Sequence, residues 1–277
     1  MDKDVELLGI ARAVQDQGQW RWDAALVFDG CTVVLTIGSI MTRADLDEVG
    51  SLVTLIIAVI LSVIAALLRW WSERRYALGR KIQLQAELAI GLGWPIRSDF
   101  NRDMRHDAGD RARRKGKAKA PSDYWATTTT PGPARLAEMK AESAWWTYQL
   151  ARTTRLSVWV ALFTLVLLAG IVAIRSIVQP LSDGTRLAYA KVVLSAMFSP
   201  AIFGLFRWAL SLEDEIAEIK ELNHELKQIG ASEKPLEADV VRIVGQYEIV
   251  LARSYPTPYP VYRIRKARLE DLWRDRV

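Results

Sequence analysis

The chain has 277 residues, 37 Lys and Arg against 32 Asp and Glu, a formal net charge of +5, and 51% hydrophobic against 25% charged residues. Its one cysteine, Cys31, and two distant histidines, His106 and His224, exclude a disulfide within one chain and a Cys/His zinc site. A mean hydropathy near zero averages two unlike materials, long apolar runs and very polar segments.

Residues 1–23 are polar, carry Asp2, Asp4 and Glu6, and show no cleavable signal, so the first apolar run is expected to be the insertion signal. That run, 24–41, bears Asp29, Thr32, Thr36, Ser39 and Arg43 at steps of three and four, one polar stripe on one helix face. Two readings stand. An ionisable group within a span usually faces a bundle interior or water and marks function, or Asp29 is solvated near the interface while the threonines bond their own backbone. A short turn with Asp and Glu leads to the run 51–68, where Ala58, Ser62 and Ala66 form a small-residue ladder suited to close helix contact.

Helix is predicted to continue over 72–92, with Ile82, Leu84, Leu88 and Ile90 apolar, until Gly91, Gly93 and Trp94-Pro95 stop it. From 102 the chain turns basic, with Arg111, Arg113, Arg114, Lys115, Lys117 and Lys119 in nine residues, and 102–133 reads as a flexible loop ending in Thr127 to Thr130 and Pro131-Gly132-Pro133. A second long helix is predicted from about 134, running through Lys140, Glu142, Trp145 and Trp146 into the run 156–177 without Gly or Pro before the span. The fourth run, 187–210, carries Lys191, Ser195 and Ser199 at steps of four, with Pro200 as an expected kink. Beyond it Leu212, Ile216, Ile219, Leu222, Leu226 and Ile229 give an amphipathic helix of coiled-coil-like spacing, read either as a partner-binding helix or as packing on its own chain. Pro235 ends it, another helix reaches about Arg253, and Pro256, Pro258 and Pro260 precede a short basic helix with Arg263, Arg265, Lys266 and Arg268.

Each of the four runs is long enough to cross a bilayer, which takes about 20 residues. The expected fold class is an all-α membrane protein: four transmembrane helices in two hairpins, with helical cytoplasmic extensions of spans two, three and four. Eighteen Lys and Arg lie in 69–155 and three precede span one, against one in each hairpin loop, Arg43 and Arg186. The positive-inside bias therefore makes the large loop and both termini cytoplasmic. The domains are then a cytoplasmic N-terminus 1–23, a first hairpin 24–68, a cytoplasmic region 69–155, a second hairpin 156–210 and a cytoplasmic tail 211–277. Trp20, Trp22, Trp70, Trp71 and Trp208 fall at the expected cytoplasmic interface and read as anchors.

No glycine-rich phosphate loop, nucleophile elbow or HExxH helix is present, so an enzyme is not expected; Asp123, Glu142 and His106 offer acid–base types without an arrangement. The two hairpins lack the inverted repeats of small transporters. The basic loop and basic tail suit a phosphorylated ligand or anionic headgroups, whereas DNA or RNA lacks the interleaved aromatics it would need.

Gly93-Trp94-Pro95, Ser122-Asp123-Tyr124, the segment from Lys140 to Trp146, and the tail from Arg242 through Pro260, Tyr262 and Arg265 resemble the SMODS-associating four-transmembrane pore-forming effectors over nearly the whole chain. The sequence departs from that pattern in Ala86 to Ile90, where a phenylalanine-aspartate pair is expected, and in the basic stretch 102–120. The resemblance implies a bacterial antiphage effector of the cyclic-oligonucleotide type (CBASS). A cyclic nucleotide messenger made on infection is sensed in the cytoplasmic part, and a homo-oligomer then permeabilises the inner membrane. Candidate pore-lining residues are Asp29, Thr32, Thr36, Ser39, Lys191, Ser195 and Ser199. Candidate ligand-binding residues are Trp94, Arg111, Arg113, Arg114, Tyr124, Trp145 and Trp146. No cofactor or metal is expected. The competing reading is a non-pore membrane-anchored sensor or scaffold that recruits a partner through its cytoplasmic helices.

Overall fold

Uninterrupted helical sequence produces unusually long helices. In the computed structural model, which describes residues 3–41, 48–118, 125–178 and 200–274, these are α1 (Lys3–Met41), α2 (Glu48–Leu92), α5 (Pro133–Val178) and α6 (Pro200–Gly230). Shorter helices complete it: α3 (Ser98–Ala108), α4 (Asp110–Ala118), α7 (Glu237–Arg253) and α8 (Tyr259–Arg274). No strand occurs among the described residues. The breaks fall at the expected punctuation. Gly93, at φ +77°, ends α2 before Trp94-Pro95, and Pro133 stands at a helix start, where the missing N–H costs nothing, while the residues before Pro200, which would show its expected kink, lie outside the described residues.

One half of the bundle is packed and the other is bare. In the packed half Leu136, Ala141, Ile219, Leu226, Ile243 and Tyr247 join α5, α6 and α7, with Leu84, Leu88 and Leu92 of α2 against them. A second core sets Leu7, Leu8, Ile10 and Val14 of α1 on Ile82 and Ala86 of α2 and on Met104, Ala108 and Ala112 of α3 and α4. Each fully buried Leu or Ile stabilises by about 1.5–3 kcal/mol. In the other half Val53, Ile56, Val63 and Leu67 of α2, and Val160, Phe163 and Leu167 of α5, are exposed. These two helices are long and apolar enough to cross a bilayer, and of the most apolar stretch of each only 17% and 22% is buried. The core helix of a water-soluble protein would be largely covered. The runs 24–41 and 187–210 lie only partly within the residues whose side chains are described.

Two sequence expectations change, the flexible loop from 102 and the anchor role of Trp22 and Trp208, and two others gain detail. The N-terminal 1–23 is, from residue 3, a core-forming part of α1. The basic stretch from 102 to 118 is helix, because Met104, Ala108 and Ala112 present a small apolar face at helical spacing that docks on α1, and Gly109 at φ +79° turns α3 into α4. Arg105 fixes the arrangement by a fork onto Glu6 at 2.9 and 3.1 Å, and holds the Glu6 carboxyl below its ordinary value. Trp22 and Trp208 are not interfacial anchors. They are 3% and 5% exposed and pack edge to face at 5.8 Å with Tyr255 alongside, whereas Trp20, Trp70 and Trp71 are exposed. The coiled-coil-like stripe Leu212, Ile216, Ile219, Leu222 and Leu226 is buried against helices of its own chain.

Candidate functional site

Lys140 lies on the α5 face that also carries Leu136, Ala137, Ala141 and Ala144, so helix periodicity drives a cation into the core. Its side chain is 2% exposed and reaches two carboxylates: it forms an ion pair with Glu87 of α2, itself 1% exposed, and another with Glu248 of α7 at 2.6 Å. Arg80 of α2 approaches the second oxygen of Glu248 at 3.7 Å. On the other side Gln83 donates to Glu87 at 2.7 Å and Gln15 of α1 donates to Gln83 at 2.7 Å. A single polar chain therefore runs from α1 through α2 and α5 to α7.

Charge balances across it, two cations against two carboxylates, which a low-dielectric site requires. Burial alone pulls the Lys140 ammonium down, but Glu87 and Glu248 together outweigh it and hold it above its ordinary value. Burial likewise pushes Glu248 up, and Lys140 and Arg80 reverse this, leaving it below the ordinary carboxylate range. The Tyr247 ring lies 5.6 Å from the Lys140 ammonium, and burial pushes its phenol up to about 12 while its oxygen shares a 2.9 Å hydrogen bond with Thr147. No exposed nucleophile or acid–base pair emerges from this geometry; it is a fastening between helices. Among the described residues no group of three or more His, Cys, Asp or Glu could hold a metal ion.

The same helices carry a second fastening nearer the bare half. Asp29 of α1 forms an ion pair with Arg69 of α2, and Thr32 Oγ1 donates to the Phe28 carbonyl at 2.9 Å. Thr36 and Ser39 follow on α1 with side chains outside the described residues, and Lys191, Ser195, Ser199 and Tyr124 are outside them altogether. The remaining candidates fall in three places. Trp94 is exposed in the turn after α2. Arg111, Arg113 and Arg114 lie on α4, with Arg113 3.3 Å from Asp110. Trp145 is buried between Trp146 of α5 and Trp273 of α8, centroids 5.6 and 5.1 Å away. Lys140, Arg80, Glu87 and Glu248 are not among the candidates that the sequence offers. The signal was available for Lys140 and Glu87, each a charge within an otherwise apolar face. No family model, curated protein or solved structure matches the chain.

Proposed function

We propose that the chain is a four-span effector of the bacterial inner membrane, with both termini cytoplasmic, that permeabilises the bilayer as a homo-oligomer when its cytoplasmic half binds a cyclic nucleotide. The observation that carries this reading is continuity. Helices α2 and α5 pass without a break from their exposed apolar halves into a cytoplasmic core where Glu87, Lys140 and Glu248 bind them to one another and to α7. A ligand that favours one arrangement of that core biases the apolar halves as well, and it shifts the population only by its difference in affinity for the two arrangements. On this reading a single bundle of four mostly apolar spans offers no water-filled path, so the conducting form is an assembly. In the resting state Asp29 is held by Arg69; opening exposes it to the lumen.

The test is dye release from liposomes reconstituted with the full chain, under a panel of cyclic di- and trinucleotides, for wild type and Asp29→Leu. Release triggered by one nucleotide and lowered at least tenfold in Asp29→Leu is expected. No release by inserted, folded protein overturns the pore reading in favour of a membrane-anchored scaffold. Release unchanged by Asp29→Leu removes span one from the lining.

A further inference from the structure

Backbone contacts bring three arginine-bearing turns of three helices, those of Arg21, Arg75 and Arg111, to one place just below the bare half. Gly18 of α1 is lodged between Ser72 and Tyr76 of α2, where Ser72 Oγ donates to its carbonyl at 2.8 Å. Arg75 belongs to that turn of α2, and Arg21 is one turn further along α1. Arg75 reaches over the end of α3, its Nη1 donating to the Asp107 and Ala108 carbonyls at 3.1 and 3.4 Å. Arg111 stands in the first turn of α4, three residues beyond Ala108. Burial first, then Arg75 and Arg111, hold the Arg21 guanidinium below its ordinary value.

Three neighbouring carboxylates have other contacts. Asp110 faces Arg113 at 3.3 Å, Asp107 lies 3.6 Å from His106, and Asp23 accepts from Gln19 and the Tyr259 amide. Among the described residues none of the three arginines forms an ion pair. Arg21 and Arg75 are each anchored through one nitrogen, Arg21 by Nη1 to the Gln17 carbonyl at 2.8 Å, which leaves the rest of the guanidinium fork to a ligand. Three such forks held together against their repulsion match a group with several anionic oxygens.

We propose that Arg21, Arg75 and Arg111 form a phosphate-binding site. At a rise of about 1.5 Å per residue, Arg21 lies about 4.5 Å before the apolar run of α1 and Arg75 about 10 Å beyond that of α2. The site is thus in reach both of a lipid headgroup phosphate and, through the exposed Arg111, of a soluble phosphodiester. It goes beyond the pore reading, since an anchor would carry it equally well.

Full-length protein is titrated in neutral detergent with cyclic dinucleotides, and separately its retention of phosphatidylglycerol over phosphatidylcholine is read by native mass spectrometry. Wild type binds at least one probe. Arg111→Gln weakens that binding about tenfold or more, while Lys115→Gln, the same charge loss on the same helix at another exposed residue, stays within about twofold. Loss confined to the nucleotide identifies a soluble ligand, and loss confined to phosphatidylglycerol identifies a headgroup. Equal effects of the two substitutions, or no binding of either probe by wild type, overturn the site. Because Arg111 is exposed, its variant keeps the fold, checked by an unchanged circular dichroism spectrum. Failure of dye release with binding intact refutes the pore and leaves the phosphate site standing.

Discussion

Replacing Lys140 by Met tests whether the buried charge set fastens the packed core. The substitution keeps a long flexible side chain but deletes the one cation that Glu87 and Glu248 share. Glu248 retains Arg80 at 3.7 Å and is 16% exposed, so most of the penalty falls on Glu87, which is 1% exposed and keeps only the amide of Gln83. Removing one partner of a buried pair costs about 3–5 kcal/mol. At about 1.4 kcal/mol per tenfold, the opening equilibrium of α5 and α7 rises by about a hundredfold to several thousandfold. Amide exchange of those helices, followed by mass spectrometry in nanodiscs, reads this directly as lost protection. Adding Glu87→Met to the same chain leaves Glu248 opposite Arg80 and restores neutrality, so protection should return to within about tenfold of wild type, as apolar replacement of buried pairs usually allows. A single variant that loses less than tenfold, or a double variant worse than the single, would refute the reasoning.

Burial raises Glu215 to about 7 against an ordinary 4.5, with a Ser254 hydrogen bond and Arg80 opposing more weakly. Between those values the unfolded chain has given up the proton and the folded chain has not, so stability falls as pH rises from about 4.5 to 7 and levels off above, by about 3 kcal/mol at most. Thermal melts from pH 5 to 8 should show that slope in wild type and lose it in Glu215→Gln. A Cβ at Gly116 would stand 2.6 Å from the Ile10 amide nitrogen and 2.7 Å from its Cα. Gly116→Ala therefore pushes α4 off α1 at about 1–3 kcal/mol, and tryptic cleavage at Arg113, Arg114 and Lys115 should quicken about tenfold, with no change in α7 exchange.

Long-range periodicity made the large helices legible. Gly91, Gly93 and Trp94-Pro95 predict the end of α2, Pro235 the gap before α7, and the amphipathic stripe of α6 its buried face. Composition misled at residues 102–118. Only three apolar side chains, Met104, Ala108 and Ala112, hold that basic stretch to α1, and a count of charges hides a docking face so small. The tryptophans misled differently, since Trp20 and Trp22 are equally amphipathic and only the approach of Trp208 and Tyr255 makes one a core residue. The charge set was illegible as a set. Glu87, Lys140 and Glu248 are separated by 53 and 108 positions, and nothing local indicates that α2, α5 and α7 meet.

Consider α2 as a rod. Its 45 residues have no internal break, so it is about 68 Å long and stiff. If it tilts about residue 68, where its apolar half ends, the arm toward Glu48 is about 30 Å and the arm toward Leu92 about 36 Å. On that geometry a 10° tilt would move the Glu48 end about 5 Å, half the width of a helix. The helix thus has two nearly equal arms, one with an exposed apolar surface and one held in the packed core, where Lys140 pairs with Glu87.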